Sequence, residues 1–348
     1  WSALSVLEFL ADPRSPVHRF HTGDYNTLVR KPRQRGENMV YSLKAWFSTH
    51  YCPGRMKLAT FGPDPLSVQL AKAEAHFGDL ESRTSVCEGR RKSWLMPAPW
   101  PSGSMGRWVR IRTAQPRASL HLYFALPDVG AQYLSQPGYY LDHVLVYGGE
   151  RSLINILRDE MPLVHSITTS LTTTSAGGVL LLELGLLEHG RKNVEVILDV
   201  LFQYFGVLRR RGVDAELYKS LAQVSKLNWE WSQASGPSQT ASTLAERLTR
   251  LPGSRVLSGD DLLEVLDARW VQRLLNCLSL NKVNIALVDE YMDFTGDAVQ
   301  TLPEYGVNFT TAFLQEAFLA DYLRWDRWLT SAGAVRSRDE LWARLYWK

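Results

Sequence analysis

Apolar and polar side chains alternate over residues 108–112 and 120–126, the period-two pattern of strands with one face buried. Two further strands are predicted at residues 164–171 and 179–187, joined by a turn around Ala176-Gly177-Gly178, and others at residues 56–61 and 283–288. Between them the spacing changes to that of helices. Over residues 41–51, Leu43, Phe47 and Tyr51 share one face. Helices are also expected at residues 1–10, 65–77, 139–146, 152–159 and 192–211, the last stopping at Gly212. Asp214 is placed to cap a helix running to about residue 231, and shorter helices follow at residues 240–251, 260–266 and 267–277. Strands and helices in this mixed order predict an α+β fold, with helices against one face of a sheet.

Punctuation then divides the chain. Pro97, Pro99, Pro101, Gly103 and Gly106 crowd one stretch and discourage both helix and strand. The expected division is therefore a first part at residues 1–88, a linker at 89–107, a second α+β domain at 108–320 and a helical tail at 321–348. A weak internal repeat fits duplicated domains. Superposing residue 56 on residue 283 pairs Phe47 with Leu274, Tyr51 with Leu278, Leu58 with Ile285 and Ala59 with Ala286. The chain opens at Trp1 and closes at Lys348 inside helical patterns, which suggests a piece of a longer protein. These ends assign no compartment.

Composition narrows the chemistry. With 39 basic and 36 acidic residues the net charge is +3, too small for an electrostatic grip on nucleic acid. Arg209-Arg210-Arg211 suits the last turn of a helix, and Arg90-Arg91-Lys92 a solvated linker. Cys52, Cys87 and Cys277 are scattered, giving neither metal spacing nor a disulfide framework. No apolar run approaches the roughly 18 residues of a membrane span. His18 and His21 read as loop residues, and His50 and His76 as helix-surface residues. The tail tryptophans Trp325, Trp328, Trp342 and Trp347 read as packing against domains outside the chain. Asn308-Phe309-Thr310 is a formal glycosylation acceptor.

The run Tyr139 to Val146, the break Tyr147-Gly148-Gly149 and the helix opening at Ser152 resemble the second domain of the insulin-degrading-enzyme and pitrilysin family of zinc peptidases. Further segments resemble that family in order. They are Ser15 to Leu28, Phe47 to Cys52 with Met56-Lys57-Leu58, Phe124 to Asp128, and Tyr305-Gly306-Val307-Asn308-Phe309. The resemblance implies duplicated domains, each a mainly antiparallel sheet with helices on one face. It also implies a zinc metalloendopeptidase that degrades peptides in an enclosed chamber. The family's H-x-x-E-H motif is absent here. Zinc is therefore expected in the intact protein, with its ligands outside this chain, and neither metal nor catalytic residues within it.

What the resemblance carries over is an exosite, a surface that anchors substrate away from the metal. Its residues here would be Tyr147, Gly148 and Gly149, with Ile167, Thr168, Thr169, Ser170 and Leu171 as an edge strand. The family strand has two glycines where Thr169 and Ser170 stand, so added side chains could narrow access. Expected partners are peptide substrates and the remaining domains of the same protein, with a homo-oligomer open, and neither nucleic acid nor a membrane span. Two alternatives stay open: a non-catalytic relative acting as partner subunit or peptide-binding scaffold, and an unrelated α+β binding module.

Overall fold

A computed structural model describes residues 2–18, 23–82, 100, 101, 103–115, 117–150, 152–174, 177–233, 235–302 and 305–330. In chain order its main helices are α1 (Ser2–Phe9), α2 (Met39–His50), α3 (Leu66–Phe77), α4 (Pro137–Val146), α5 (Val194–Arg211), α6 (Ala215–Glu230), α7 (Pro237–Arg247), α8 (Ala268–Leu275) and α9 (Leu319–Thr330). The strands are β1 (Arg107–Arg112), β2 (Ser119–Leu126), β3 (Val164–Thr174), β4 (Gly177–Leu186), β5 (Val283–Asp289), β6 (Gln300–Leu302) and β7 (Val307–Phe313). The chain divides into two compact units. One comprises Trp1–Arg19, Pro97–Ala222 and Leu263–Lys348, the other Phe20–Met96 and Gln223–Leu262.

Among the described residues the first unit holds all seven strands in one sheet, ordered β3-β4-β2-β5-β1-β7-β6. Every pairing is antiparallel except β1 with β5, where Trp108 lies opposite Ile285. The α+β class expected from the alternating pattern is the one found. β2 is buried along its length except at Ala125, and β5 except at Leu287. Both are bonded on both sides and covered on both faces, so β2 departs from the burial of a single face that alternation over residues 120–126 predicted. On one face Leu120, Leu122, Phe124, Leu182 and Ile285 meet the helices. On the other, Val109, Ile111, Ala286 and Phe309 meet Val6 and Leu7 of α1.

The main helical layer is anchored by α5. Phe205 packs edge-on against Phe124 at 5.5 Å, and Phe202 lies 5.0 Å from Trp325 of α9. The Trp325 indole N–H donates to Asp199 Oδ1 at 2.6 Å, and Arg324 reaches the same carboxylate at 2.6 Å. Trp325 is thus fully buried within this unit. The expectation that it waits for a missing domain fails, because its indole and Asp199 satisfy each other inside the core. Trp342 and Trp347 lie outside the described residues. Gly212 closes α5 at φ +67°, as its position after the arginine run required. Asp214 Oδ1 accepts from the backbone N–H groups of Glu216 and Leu217, capping α6.

The second unit is helical among its described residues. Residues 56–61, expected as a strand, take no strand pairing there, so the proposed repeat with β5 is not reproduced. The short apolar run lacked the flanking partner that a strand needs. Neither α2 nor α3 buries a single residue. Tyr41, Leu43, Trp46, Phe47, Leu66 and Leu70 are all exposed. The segment before Leu262 is tied by Arg247 to Asp261 at 2.6 Å and Arg250 to Asp260 at 2.9 Å, in place of the helix expected over residues 260–266. Cys52 is disulfide-bonded, against the expectation of unlinked cysteines. Among the described residues no helix is long and apolar enough to cross a membrane.

One buried titratable group sets a pH dependence. His121 on β2 shares Nε2 with Ser119 Oγ at 2.8 Å, while its Nδ1 has no hydrogen-bond partner. Glu183 stands 3.9 Å from that nitrogen, too far to compensate. Burial, helped by the Arg117 charge, pushes His121 down to about 4. The unfolded chain therefore binds a proton on this residue below about pH 6.5, where the folded chain does not. Stability should be intact above that value and fall as the pH drops from about 6.5 toward 4, by about 2 kcal/mol at pH 4.5. Urea unfolding at pH 7 and 4.5 checks this: His121→Gln should flatten that part of the pH dependence, and an unchanged slope would refute the assignment.

Candidate functional site

The β3–β4 hairpin supplies the site's first component. Because β2 is already paired with both β4 and β5, β3 can join only outside β4, and it ends the sheet. Its 11 residues pair with β4 along one side, Thr168 opposite Glu183 and Ser170 opposite Leu181, with an irregularity between Val164 and Ser166. Side chains alternate. Ile167 and Leu171 pack against the main core, with Thr169 half-buried between them, whereas Thr168, Ser170 and Thr172 are exposed. Side chains in a strand stand roughly perpendicular to the sheet, so those at Thr169 and Ser170 do not lie along its outer edge.

The second component is α4 and the break after it. α4 starts from Gln136 at φ +39° with Pro137 in its first turn. It docks on β3 at two points. Thr169 Oγ1 donates to Asp142 Oδ1, and the Leu171 side chain fills the space where a side chain at Gly138 would sit. Four helical residues span about 6 Å and two strand residues about 6.6 Å, so helix and strand run antiparallel in step. One further step brings Val146 level with Ile167. Tyr147, Gly148 and Gly149 therefore leave the helix beside the first half of β3. The Tyr204 hydroxyl donates to the Val144 carbonyl at 2.8 Å and ties this end of α4 to α5.

The two glycines differ in necessity. A Cβ on Gly149 would stand 2.2 Å from the Tyr147 ring, whereas one on Gly148 meets nothing within 4 Å. Tyr147 is 54% exposed and its ring lies 5.3 Å from His143. Burial lowers the His143 pKa, and the nearby Asp142 charge opposes that shift. Gly149 closes the turn by accepting from the Ser152 N–H at 3.1 Å. The Ser152 hydroxyl then caps the next helical segment by accepting from Asn155 N at 3.2 Å, and that segment widens into π-type turns over Asn155–Glu160. Asp142 and Gly138 were missed in the sequence. The signal was there: a lone carboxylate in an apolar helix, four residues after a glycine.

A metal finds no equivalent arrangement. Among the described residues no three His, Cys, Asp or Glu side chains come together as a possible ligand set. His18 stacks on Phe9 at 5.5 Å and the His50 ring lies tilted against Trp46 at 4.8 Å, while His21 lies outside the described residues. The described residues do not fit a zinc site.

The geometry defines an α+β domain with its main helical layer on one sheet face and α1 on the other, an outer edge strand, and no metal cluster among its described residues. The chain belongs to the peptidase M16 family: a family model described as the peptidase M16 inactive domain matches residues 40–223, and one described as the middle or third domain of peptidase M16 matches residues 229–327. It is 24% identical to the insulin-degrading enzyme of Mus musculus over 325 residues, covering 93% of this chain and 31% of that protein. To the A-factor-processing enzyme of Saccharomyces cerevisiae it is 23% identical over 261 residues, covering 74% of this chain and 25% of that protein. The crystal structure of pitrilysin superposes with a TM-score of 0.75 at 18% identity, over 93% of this chain and 33% of that one. The resemblance read from the sequence holds, and so does the fold. The chain spans about a third of the length of the curated relatives it matches.

The contrast between the two glycines is testable. Gly148→Ala should leave stability within about 0.5 kcal/mol of the parent. Gly149→Ala must swing the Tyr147 ring aside and uncover His143, whose pKa should then rise toward its ordinary value of about 6.5. Histidine titration by NMR reads this directly, and identical titration curves in the two variants would contradict the geometry.

Proposed function

We propose that the chain is the substrate-holding portion of a zinc metalloendopeptidase that degrades peptides in an enclosed chamber, its zinc ligands lying outside this sequence. The observation that carries the reading is the terminal position of β3. An edge strand leaves N–H and C=O groups unpaired, and an extended peptide can satisfy them by adding a strand. Tyr147, Gly148 and Gly149, with Ile167, Thr168, Thr169, Ser170 and Leu171, are the surface proposed to do this. Each added hydrogen bond contributes about 0.5–1.5 kcal/mol net. Three or four would position a peptide without holding it tightly. Thr169 and Ser170 replace glycines without closing the edge, since one side chain turns to Asp142 and the other to the opposite face.

The uncovered aromatic residues of α2 and α3 support a second part of the reading. Apolar surface on this scale marks an interaction site. Its proposed occupant is the remainder of the same protein, consistent with the short share of the relatives' length that this chain covers. A non-catalytic relative serving as peptide-binding scaffold would use the same strand edge. The segment preceding residue 1 in the full-length protein distinguishes the two, through the presence or loss of H-x-x-E-H.

Two outcomes test the proposal. Alternate residues of an edge strand turn their N–H outward, so proline is placed in turn at Thr169 and Ser170. In the intact protein one of these should raise KM about fivefold, the loss of about one hydrogen bond, with stability little changed. Thr169→Val keeps the N–H but drops the Asp142 link and serves as control. Unchanged KM for several peptides in both proline variants would remove the strand edge from substrate binding. The chain by itself should neither hydrolyse peptides nor retain stoichiometric zinc after dialysis. Turnover by a clean preparation that a chelator abolishes would place the metal within this sequence.

A further inference from the structure

Beyond the 167–171 stretch of β3, a cavity of about 360 Å³ opens where β2 ends and β4 begins, beside the C-terminal end of α8. Its size falls in the range of small-molecule sites, roughly 300–1,000 Å³. The walls are mainly apolar, with Met105, Leu126 and Pro127 contributing, and the buried thiol of Cys277 borders it. Arg273 and Lys282 stand at its exposed side, and its lining carries no carboxylate among the described residues.

Among the described residues neither cation is neutralised. Arg273 lies over the Trp270 ring at 4.6 Å, and Lys282 Nζ donates to Cys277 Sγ at 3.5 Å. No Asp or Glu pairs with either among the described residues. Uncompensated cations beside a low-dielectric wall concentrate anions. The Arg273 fork matches a carboxylate in particular. The hairpin keeps the site open. Gly177 sits at φ +137°, where side chains are strained, and a Cβ there would meet the Leu126 carbonyl at 3.1 Å.

We propose that this cavity binds a small carboxylate on an apolar stem, the charged end between Arg273 and Lys282 and the stem against Leu126, Pro127 and Met105. The chemistry is that of a peptide's carboxyl terminus or of a short free acid. The site is independent of the β3 edge and stands whether or not that edge takes peptides.

Cys277 provides a reporter, being the free cysteine among the described residues. Iodoacetate and iodoacetamide form the same S–C bond with loss of iodide, but only the first carries a carboxylate. Rates at Cys277 are followed in the native chain by peptide mapping and mass spectrometry, with N-acetylcysteine as reference. The iodoacetate-to-iodoacetamide rate ratio should exceed the reference ratio by about tenfold at low salt and fall as salt is added. Arg273→Gln and Lys282→Met, both at exposed positions, should each bring the ratio back toward the reference. N-acetylleucine or butyrate should slow alkylation, and N-acetylleucinamide should not. Stronger protection by N-acetylleucine assigns the site to peptide ends, and stronger protection by butyrate to free acids. A ratio equal to the reference, no alkylation by either reagent, or equal protection by inorganic phosphate overturns the proposal.

Discussion

The structure depends on the saturation of β2 and β5. Each is hydrogen-bonded on both sides and covered on both faces, which is why nearly every residue in them is buried. Such strands accept no slip in register, since moving one residue would turn every side chain to the wrong face. With β4 and β5 flanking β2, the hairpin partner of β4 has only the outer position left. The exposed edge is thus a consequence of the core, and the same apolar pattern that builds the centre places β3 at the rim.

That strand is held from the helical side. Asp142 and Gly138 of α4 fix Thr169 and Leu171, so the edge is presented by a helix that Tyr204 ties into the main layer. A strand pinned on one face, paired on one side and open on the other is suited to accept an extended guest without rearranging. The cationic cavity at the far end of β2 shares this rigid frame, because its walls are the ends of the same saturated strands.

Much of the sheet was legible because its strands obey local rules. Alternation marked β1 and β2, and the Gly177-Gly178 pair marked the start of β4. Gly212 and Asp214 were readable as helix stop and helix cap because each acts on its own neighbours. What failed depends on distant partners. Residues 56–61 look like β5 in composition but take no strand pairing among the described residues. Trp325 looks like an interface residue until Asp199, 126 positions away, is seen to accept its N–H. The candidate strand edge was proposed from family resemblance, while its anchor at Asp142 could be seen only once helix and strand were in place.

The parallel pairing of β1 with β5 has a consequence for synthesis. Arg107 bonds to Asn284 across 177 positions of chain. At about 5–20 residues per second, β1 leaves the ribosome roughly 9–35 s before its neighbour exists. Through that interval Val109 and Ile111 have no β5 to pair with, and the nascent sheet carries a gap at its centre. A chaperone would find a long window on this molecule there, between the emergence of the first strand and the arrival of the fifth.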